Sequence, residues 1–282
     1  MSSNTYGYMG VTTPGSQAFT GVVILAIVFV TGFLGELLFG AATDKTLRFR
    51  TLLDYTASSE ETNVVIRQNP KYSDAIPIGL SVNERTGIEF AYSFFLYVLP
   101  STFSNQEASL KHVFHKGYPI PWPLMGPGVF MLGNTNTMRV FMNTHKNPYT
   151  YTDITNIPVQ KWFHVVLNCF KGGLDVYING TLANRIPFND TVPYQNYQDL
   201  IFFSQTNHQF RASSIAALPG EDMVIQGSFS GFLSSMKYAR YALSVVEIQK
   251  LMSEGPSSKR KTASQSLPPY LADSWWTQQR GA

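Results

Sequence analysis

Cysteine is nearly missing from this 282-residue sequence, which holds one, Cys169. A single thiol forms no intrachain disulfide and no cysteine-cluster metal site, and it suits a reducing compartment. Charge is scarce too: 14% of residues are charged and the net is +3, which gives the whole chain no case for nucleic acid. No charged side chain precedes Glu36. The acidic residues Asp153, Asp175, Asp190, Asp199, Glu221 and Asp222 are scattered rather than gathered into the oxygen-rich set that calcium needs. No Gly-x-Ser-x-Gly, P-loop or dinucleotide fingerprint occurs. The expectation is a chain with no catalytic residues, no metal and no cofactor.

Aromatic and apolar residues are plentiful, with 20 Phe, 15 Tyr and 4 Trp among 44% hydrophobic residues. Such a composition needs a core and is far from that of a disordered chain. One run stands apart. Residues 19–39 read FTGVVILAIVFVTGFLGELLF, with Phe19, Val22, Ile24, Leu25, Ile27, Phe29, Phe33 and Leu37 as anchor residues and Glu36 as the only charge. As a helix, this stretch is about as long as a hydrocarbon core of about 30 Å is thick. A cleaved leader with Gly40-Ala41-Ala42 at its end is the second reading, but no basic segment precedes it. A buried core helix is the third. Residues 1–18 are polar and uncharged, whereas Lys45, Arg48 and Arg50 follow the run in a juxtamembrane segment, 40–51. Basic flanks tend to stay cytosolic, so the body of the chain is expected on that side. The sequons at Asn179 and Asn189 point the other way.

Residues 52–256 alternate with the period of strands. In the segment 87–98, Ile88, Phe90, Tyr92, Phe94, Leu96 and Val98 share one face, against Glu89, Ala91, Ser93, Phe95 and Tyr97. In the segment 161–170, Phe163, Val165, Leu167 and Cys169 oppose Trp162, His164, Val166 and Asn168. Leu174, Val176 and Ile178 lead directly into Asn179-Gly180, a hairpin signal because both residues tolerate positive φ. Further strands are expected at 64–67, 138–143, 200–204 and 229–238. No βαβ rhythm appears, which predicts an all-β antiparallel sandwich. One helix is marked by Ser244 with Glu247 as a capping box and Gly255-Pro256 as its stop. His112 and His115, three apart, fall on opposite faces of a regular strand and make a weak metal pair. The remaining segment, 257–282, is basic and rich in Ser and Pro. Its Lys259, Arg260, Lys261, Trp275 and Trp276 suit docking on a protein partner.

Two blocks carry a resemblance. Residues 162–186, WFHVVLNCFKGGLDVYINGTLANRI, and residues 231–256, GFLSSMKYARYALSVVEIQKLMSEGP, are similar to the hairpin and closing strand of laminin-G-like, concanavalin-type jelly rolls. The resemblance implies a jelly roll with one short C-terminal helix. The family often has acidic residues after the glycine of the closing strand, where this chain has Ser234 and Ser235. Its glucanases carry Glu-x-Asp-x-Glu on one strand; the nearest pair here, Glu84 and Glu89, is five apart and lacks the needed separation of about 5–5.5 Å on one face.

A jelly roll tethered on the cytosolic side resembles the anchored minor capsid proteins of large icosahedral DNA viruses. That resemblance implies a structural virion protein, bridging an internal membrane and the capsid shell, with the bilayer and other capsid proteins as partners and no nucleic acid. The alternative is a membrane-anchored lectin binding glycans, for which Tyr149, Tyr151, Asp153 and Asn156 are the nearest approach to a binding loop.

Overall fold

A computed structural model describes residues 14–47, 49–61, 64–81, 88–104, 108–214 and 222–260, with helix side chains described over 18–37. The chain divides into two units, residues 1–48 and 49–282.

The first unit is helix α1, Pro14–Leu47. It starts earlier and runs further than the 19–39 apolar run. Its stretch Ala18–Leu37 is long and apolar enough to cross a membrane, and none of it is buried by protein. Phe29 is 74% exposed, and Phe19, Leu25 and Phe33 are similarly bare. Apolar side chains around the whole circumference give such a helix no polar face to turn to water.

The second unit is a two-sheet sandwich. Its strands are β1 (Phe49–Ser58), β2 (Val64–Ile66), β3 (Phe90–Val98), β4 (Leu110–Gly117), β5 (Met125–Leu132), β6 (Thr137–Phe141) and β7 (Tyr151–Thr155). They continue with β8 (Trp162–Phe170), β9 (Gly173–Ile178), β10 (Thr181–Pro187), β11 (Leu200–Phe202), β12 (Asn207–Phe210), β13 (Met223–Ser228) and β14 (Gly231–Ala239). Helix α2, Val245–Glu254, closes the order. One sheet is six-stranded, β1-β14-β3-β8-β9-β10. The other is eight-stranded, β12-β13-β4-β5-β6-β7, with β11 paired to both β4 and β2. The fold is the expected jelly-roll sandwich with one departure: β13 runs parallel to β4.

The alternation read from the sequence sets the core. Phe90, Tyr92, Phe94, Leu96 and Val98 of β3 and Phe163, Val165, Leu167 and Cys169 of β8 point between the sheets, against Val113, Phe114, Val129 and Val140. Asn179 and Gly180, at φ of 50° and 77°, turn β9 into β10 as the hairpin signal requires. Ser244 and Glu247 form the capping box of α2.

Two boundaries differ from the expectation. The segment 40–51 falls largely within elements, since α1 reaches Leu47 and β1 begins at Phe49. Nor does the tail start at Ser257. The Thr56 amide donates to the Lys259 carbonyl at 2.8 Å, and Arg260 pairs in parallel with Thr56. Lys259 Nζ also lies 3.0 Å from the Asp54 carboxylate. Unsatisfied groups on an edge strand attract such a cover.

Gly231 opens β14 at a φ of 153°, and a Cβ there would stand 2.0 Å from the Tyr97 carbonyl oxygen. Gly231→Ala is expected to cost about 2–3 kcal/mol or more, because neither backbone can yield easily. Thermal denaturation should show a midpoint lower by several degrees, and an unchanged midpoint would contradict the close approach.

Candidate binding groove

The outer face of the six-stranded sheet is divided. Around the end where the chain enters, at Phe49, helix α2 lays Ile248 and Leu251 over Ala91, Val166 and Ala239. Asn168 fixes its leading loop with two bonds, donating to the Leu243 carbonyl at 3.0 Å and accepting from the Leu243 amide at 2.8 Å. At the other end of the sheet the face is open. There Ser58 of β1, Phe232 of β14, Tyr97 of β3 and Trp162 of β8 stand side by side in register. They line a groove of about 630 Å³ together with Thr56, Leu99, Glu61 and Arg260.

Three rings form its floor. Tyr97 lies 5.5 Å from Trp162 and 6.0 Å from Phe232, with interplanar angles of 59° and 61°. Trp162 and Phe232 are 6.5 Å apart at 42°. Trp162 remains 36% exposed. The rim is polar. Glu61 Oε1 accepts from the Ser58 amide at 3.1 Å. The Thr56 hydroxyl is tied to Ser234 and Ser257, and Arg260 is exposed. This arrangement offers apolar ring faces beside a carboxylate, a guanidinium and hydroxyls. Sequence reading had placed Trp162 only as a strand residue; its exposure beside Tyr97 depends on the register of three strands distant in sequence.

Residues 149–156 make up strand β7 and its two flanks. Tyr149 is buried in the cluster on the outer face of the eight-stranded sheet, with Phe130 and Phe141. Tyr151 and Asp153 lie in edge strand β7. Arg139 holds Asp153 through two bonds of 2.7 Å and lies 4.1 Å over the Tyr151 ring. Asn156 ends the strand in the left-handed region at φ 57°. The Asp153 carboxylate is thus occupied within the fold. Of the anchor residues, all eight lie on α1. The helix includes Lys45, whose side chain is outside the described residues, as are Arg48, Lys261, Trp275, Trp276, Glu84 and Glu221. Arg50 is exposed on β1.

His112 and His115 do come together, against the expectation for a regular strand. A bulge in β4 points both Val113 and Phe114 into the core, which returns His115 to the face of His112. The Ser204 amide donates to His112 Nδ1 at 3.0 Å, so His112 Nε2 carries the proton that meets His115 Nδ1 at 2.7 Å. His115 Nε2 then donates to the Tyr118 carbonyl at 2.7 Å. Both rings are neutral in this chain of bonds. Burial, reinforced by the neighbouring rings, holds His112 well below the usual imidazole range and, despite the Tyr118 carbonyl, His115 at about 4. Burial also lowers His164, bonded to the Ser93 hydroxyl at 2.8 Å, to about 4. Among the described residues, no group of three or more His, Cys, Asp or Glu is placed to hold a metal. Cys169 is buried, and burial raises its thiol well above the usual range. Thiol reagents are expected to label it only at the rate of unfolding, and rapid labelling of the native protein would contradict this.

No family model matches the chain, and no curated protein matches it. Among solved structures it is similar to the botulinum neurotoxin serotype D ligand binding domain in complex with N-acetylneuraminic acid, at 12% identity and a TM-score of 0.46, over 73% of this chain and 42% of that one. The binding domain of Paraclostridial mosquitocidal protein 1 is similar at 13% identity and 0.46, over 71% and 42%. Trypanosoma rangeli sialidase in complex with the inhibitor DANA is similar at 14% and 0.37, over 58% and 22%. The chain spans less than half the length of each.

The three buried neutral histidines give stability a definite pH dependence. Their folded pKa values lie below the unfolded value of about 6.5, so the unfolded chain binds more protons as acid is added. Stability is expected to be full above about pH 6.5 and to fall towards pH 4 by up to about 1.4 kcal/mol per pH unit for each histidine. Lys116, lowered by burial to about 8, is protonated in both states across this window and adds no slope. Urea titrations at pH 7.5 and 5.0 measure the difference, and equal midpoints would contradict the neutral pair.

Proposed function

We propose that the protein is a non-enzymatic bridge, held in a bilayer by α1 and engaging a partner at the opposite end of the sandwich. The observation that supports it is the direction of two connections. The chain from α1 enters at Phe49, the start of β1. The segment leading to the tail pairs with β1 in parallel at Thr56, and so runs towards the other end. Ten residues of strand separate those ends by roughly 30 Å. On the resemblance drawn from the sequence, the bilayer is an internal virion membrane and the partner is the capsid shell. The basic flank favours the sandwich on the cytosol-equivalent side. A membrane-anchored glycan-binding role is the second reading, favoured by the aromatic floor and polar rim of the groove.

The anchor is tested first. Full-length chain made with microsomes should resist carbonate extraction, retain its N-terminus, leave its sandwich open to added protease and carry no glycan on Asn179 or Asn189. Removal of the helix by processing, or protection of the sandwich, would overturn this reading. The bridge is tested by deleting residues 261–282, which spares the 257–260 segment bound to β1. The shortened chain should stay folded and membrane-bound but enter particles several-fold less. Trp275→Ala with Trp276→Ala should reproduce much of that loss, since buried Trp side chains often contribute about 2 kcal/mol or more to an interface. Normal incorporation of both variants would sink the bridge.

A further inference from the structure

We propose that the loops at the end of the sandwich where β1 begins form a second membrane contact, a tyrosine-rich crown that sits in the bilayer interface. The proposal rests on α1 being held in a bilayer, and it adds a contact made by the sandwich itself. Three loops meet at this end: 118–124 between β4 and β5, 142–150 between β6 and β7, and 188–199 between β10 and β11. One small cavity fixes their place, because Lys116 and Asn196 face Phe90 and Tyr238 across it. Tyr238 in turn is opposite Arg50, the second residue of β1.

Tyr118, Ile120, Val192, Tyr194 and Tyr197 are exposed on two of these loops, Tyr197 at 71%. Tips free to fold back would bury such side chains, but these are pinned from below. Asn143 is buried; it donates to the Pro123 and Pro148 carbonyls at 2.9 and 2.7 Å and accepts from the Met125 amide at 2.8 Å. Asn196, also buried, donates to the Lys116 and Gly126 carbonyls at 2.9 and 3.0 Å. The Tyr194 amide donates to the Asn143 carbonyl at 2.8 Å, and the Gly117 amide to that of Asp199 at 3.1 Å. The three loops are thus tied to one another, and their apolar tips stay in water unless a partner covers them. The other exposed large apolar residues of the sandwich lie on strands or on α2, save Tyr72, which lies beneath the Arg67 guanidinium.

Two features select a lipid surface as that partner. Tyrosine joins an apolar ring to a polar tip, which suits it to the headgroup level. Further, α1 ends at Leu47 and β1 starts at Phe49, so a bilayer that holds α1 is tethered to this end of the sandwich. Charge plays little part. Lys146 and Asp190 are both exposed on the same loops, so insertion of side chains rather than attraction to anionic lipid carries the contact.

The test uses the full chain in nanodiscs of a zwitterionic phosphatidylcholine. Cys169 is buried, so a nitroxide can be attached at one introduced cysteine. Ile120→Cys and Tyr197→Cys report the crown, and Asn134→Cys, exposed in the turn between β5 and β6, reports the opposite end. Relaxation by oxygen, which concentrates in lipid, is compared with relaxation by a water-soluble nickel chelate. The oxygen-to-nickel ratio should be several-fold higher at 120 and 197 than at 134. Tyr118→Asp with Tyr197→Asp should lower the ratio at 120 by about twofold or more, because carboxylates resist the interface, with a thermal midpoint near that of the parent. Crown labels as open to nickel as the label at 134, or shielded from both reagents as in a protein contact, would overturn the proposal. So would a ratio at 120 untouched by the two aspartates, since the tether alone would then set it. Carbonate extraction reads the anchor separately: a chain that resists it while its crown labels stay in water loses only the second contact, and a chain that is extracted loses both.

Discussion

Two hydroxyls, those of Thr56 and Ser234, tie the backbone of Ser257 to the edge of the six-stranded sheet. The Thr56 hydroxyl donates to the Ser257 carbonyl at 2.7 Å. Its single proton is then spent, so the 2.7 Å contact with Ser234 is a bond that Ser234 donates. Ser234 in turn accepts from the Ser257 amide at 2.8 Å. All three residues are satisfied in one consistent direction, although they come from β1, β14 and the segment after α2. Ser234 is fully buried, so the loss of any one partner would strand a polar atom inside the protein. This small network makes the 257–260 segment part of the sheet edge. The position of Arg260 on the groove follows from it.

The same network shows what the sequence could and could not say. Strands β3, β8 and β9 were legible because apolar residues recur at every second position in each, and Asn179-Gly180 marks its own turn. The helix α2 was legible because its cap is local. Strand β5 was not, since Gly126, Pro127 and Gly128 imitate a loop; the sheet accepts them because a Cβ at Gly128 would meet the Met125 carbonyl at 2.6 Å. Ser234 stood out as a departure from acidic residues in the resembling family, yet its use as a buried hydroxyl link appears only when positions 178 and 201 residues apart are brought together. His112 and His115 were misplaced because a bulge adds one residue to the count, and no local signal announces it.

The division of the outer face comes from residue size along neighbouring strands. Where the chain enters, Ala91 and Ala239 are opposite each other in β3 and β14, and their small side chains let α2 approach the sheet closely. Three two-residue repeats further along β3, Tyr97 is opposite Phe232 in β14 and Trp162 in β8. Side chains of that size leave a helix no seat. The chain after α2 is accordingly diverted: Gly255, at φ 72°, ends the helix and its amide bonds back to the Met252 carbonyl. The segment then runs along the β1 edge instead of across the sheet. Large rings on one half therefore do two things at once. They stop the helix from covering the face, and they partly cover one another, which keeps an exposed aromatic floor tolerable in water. A floor that was merely apolar would invite aggregation; Glu61, Arg260 and Ser58 rim this one with polar groups.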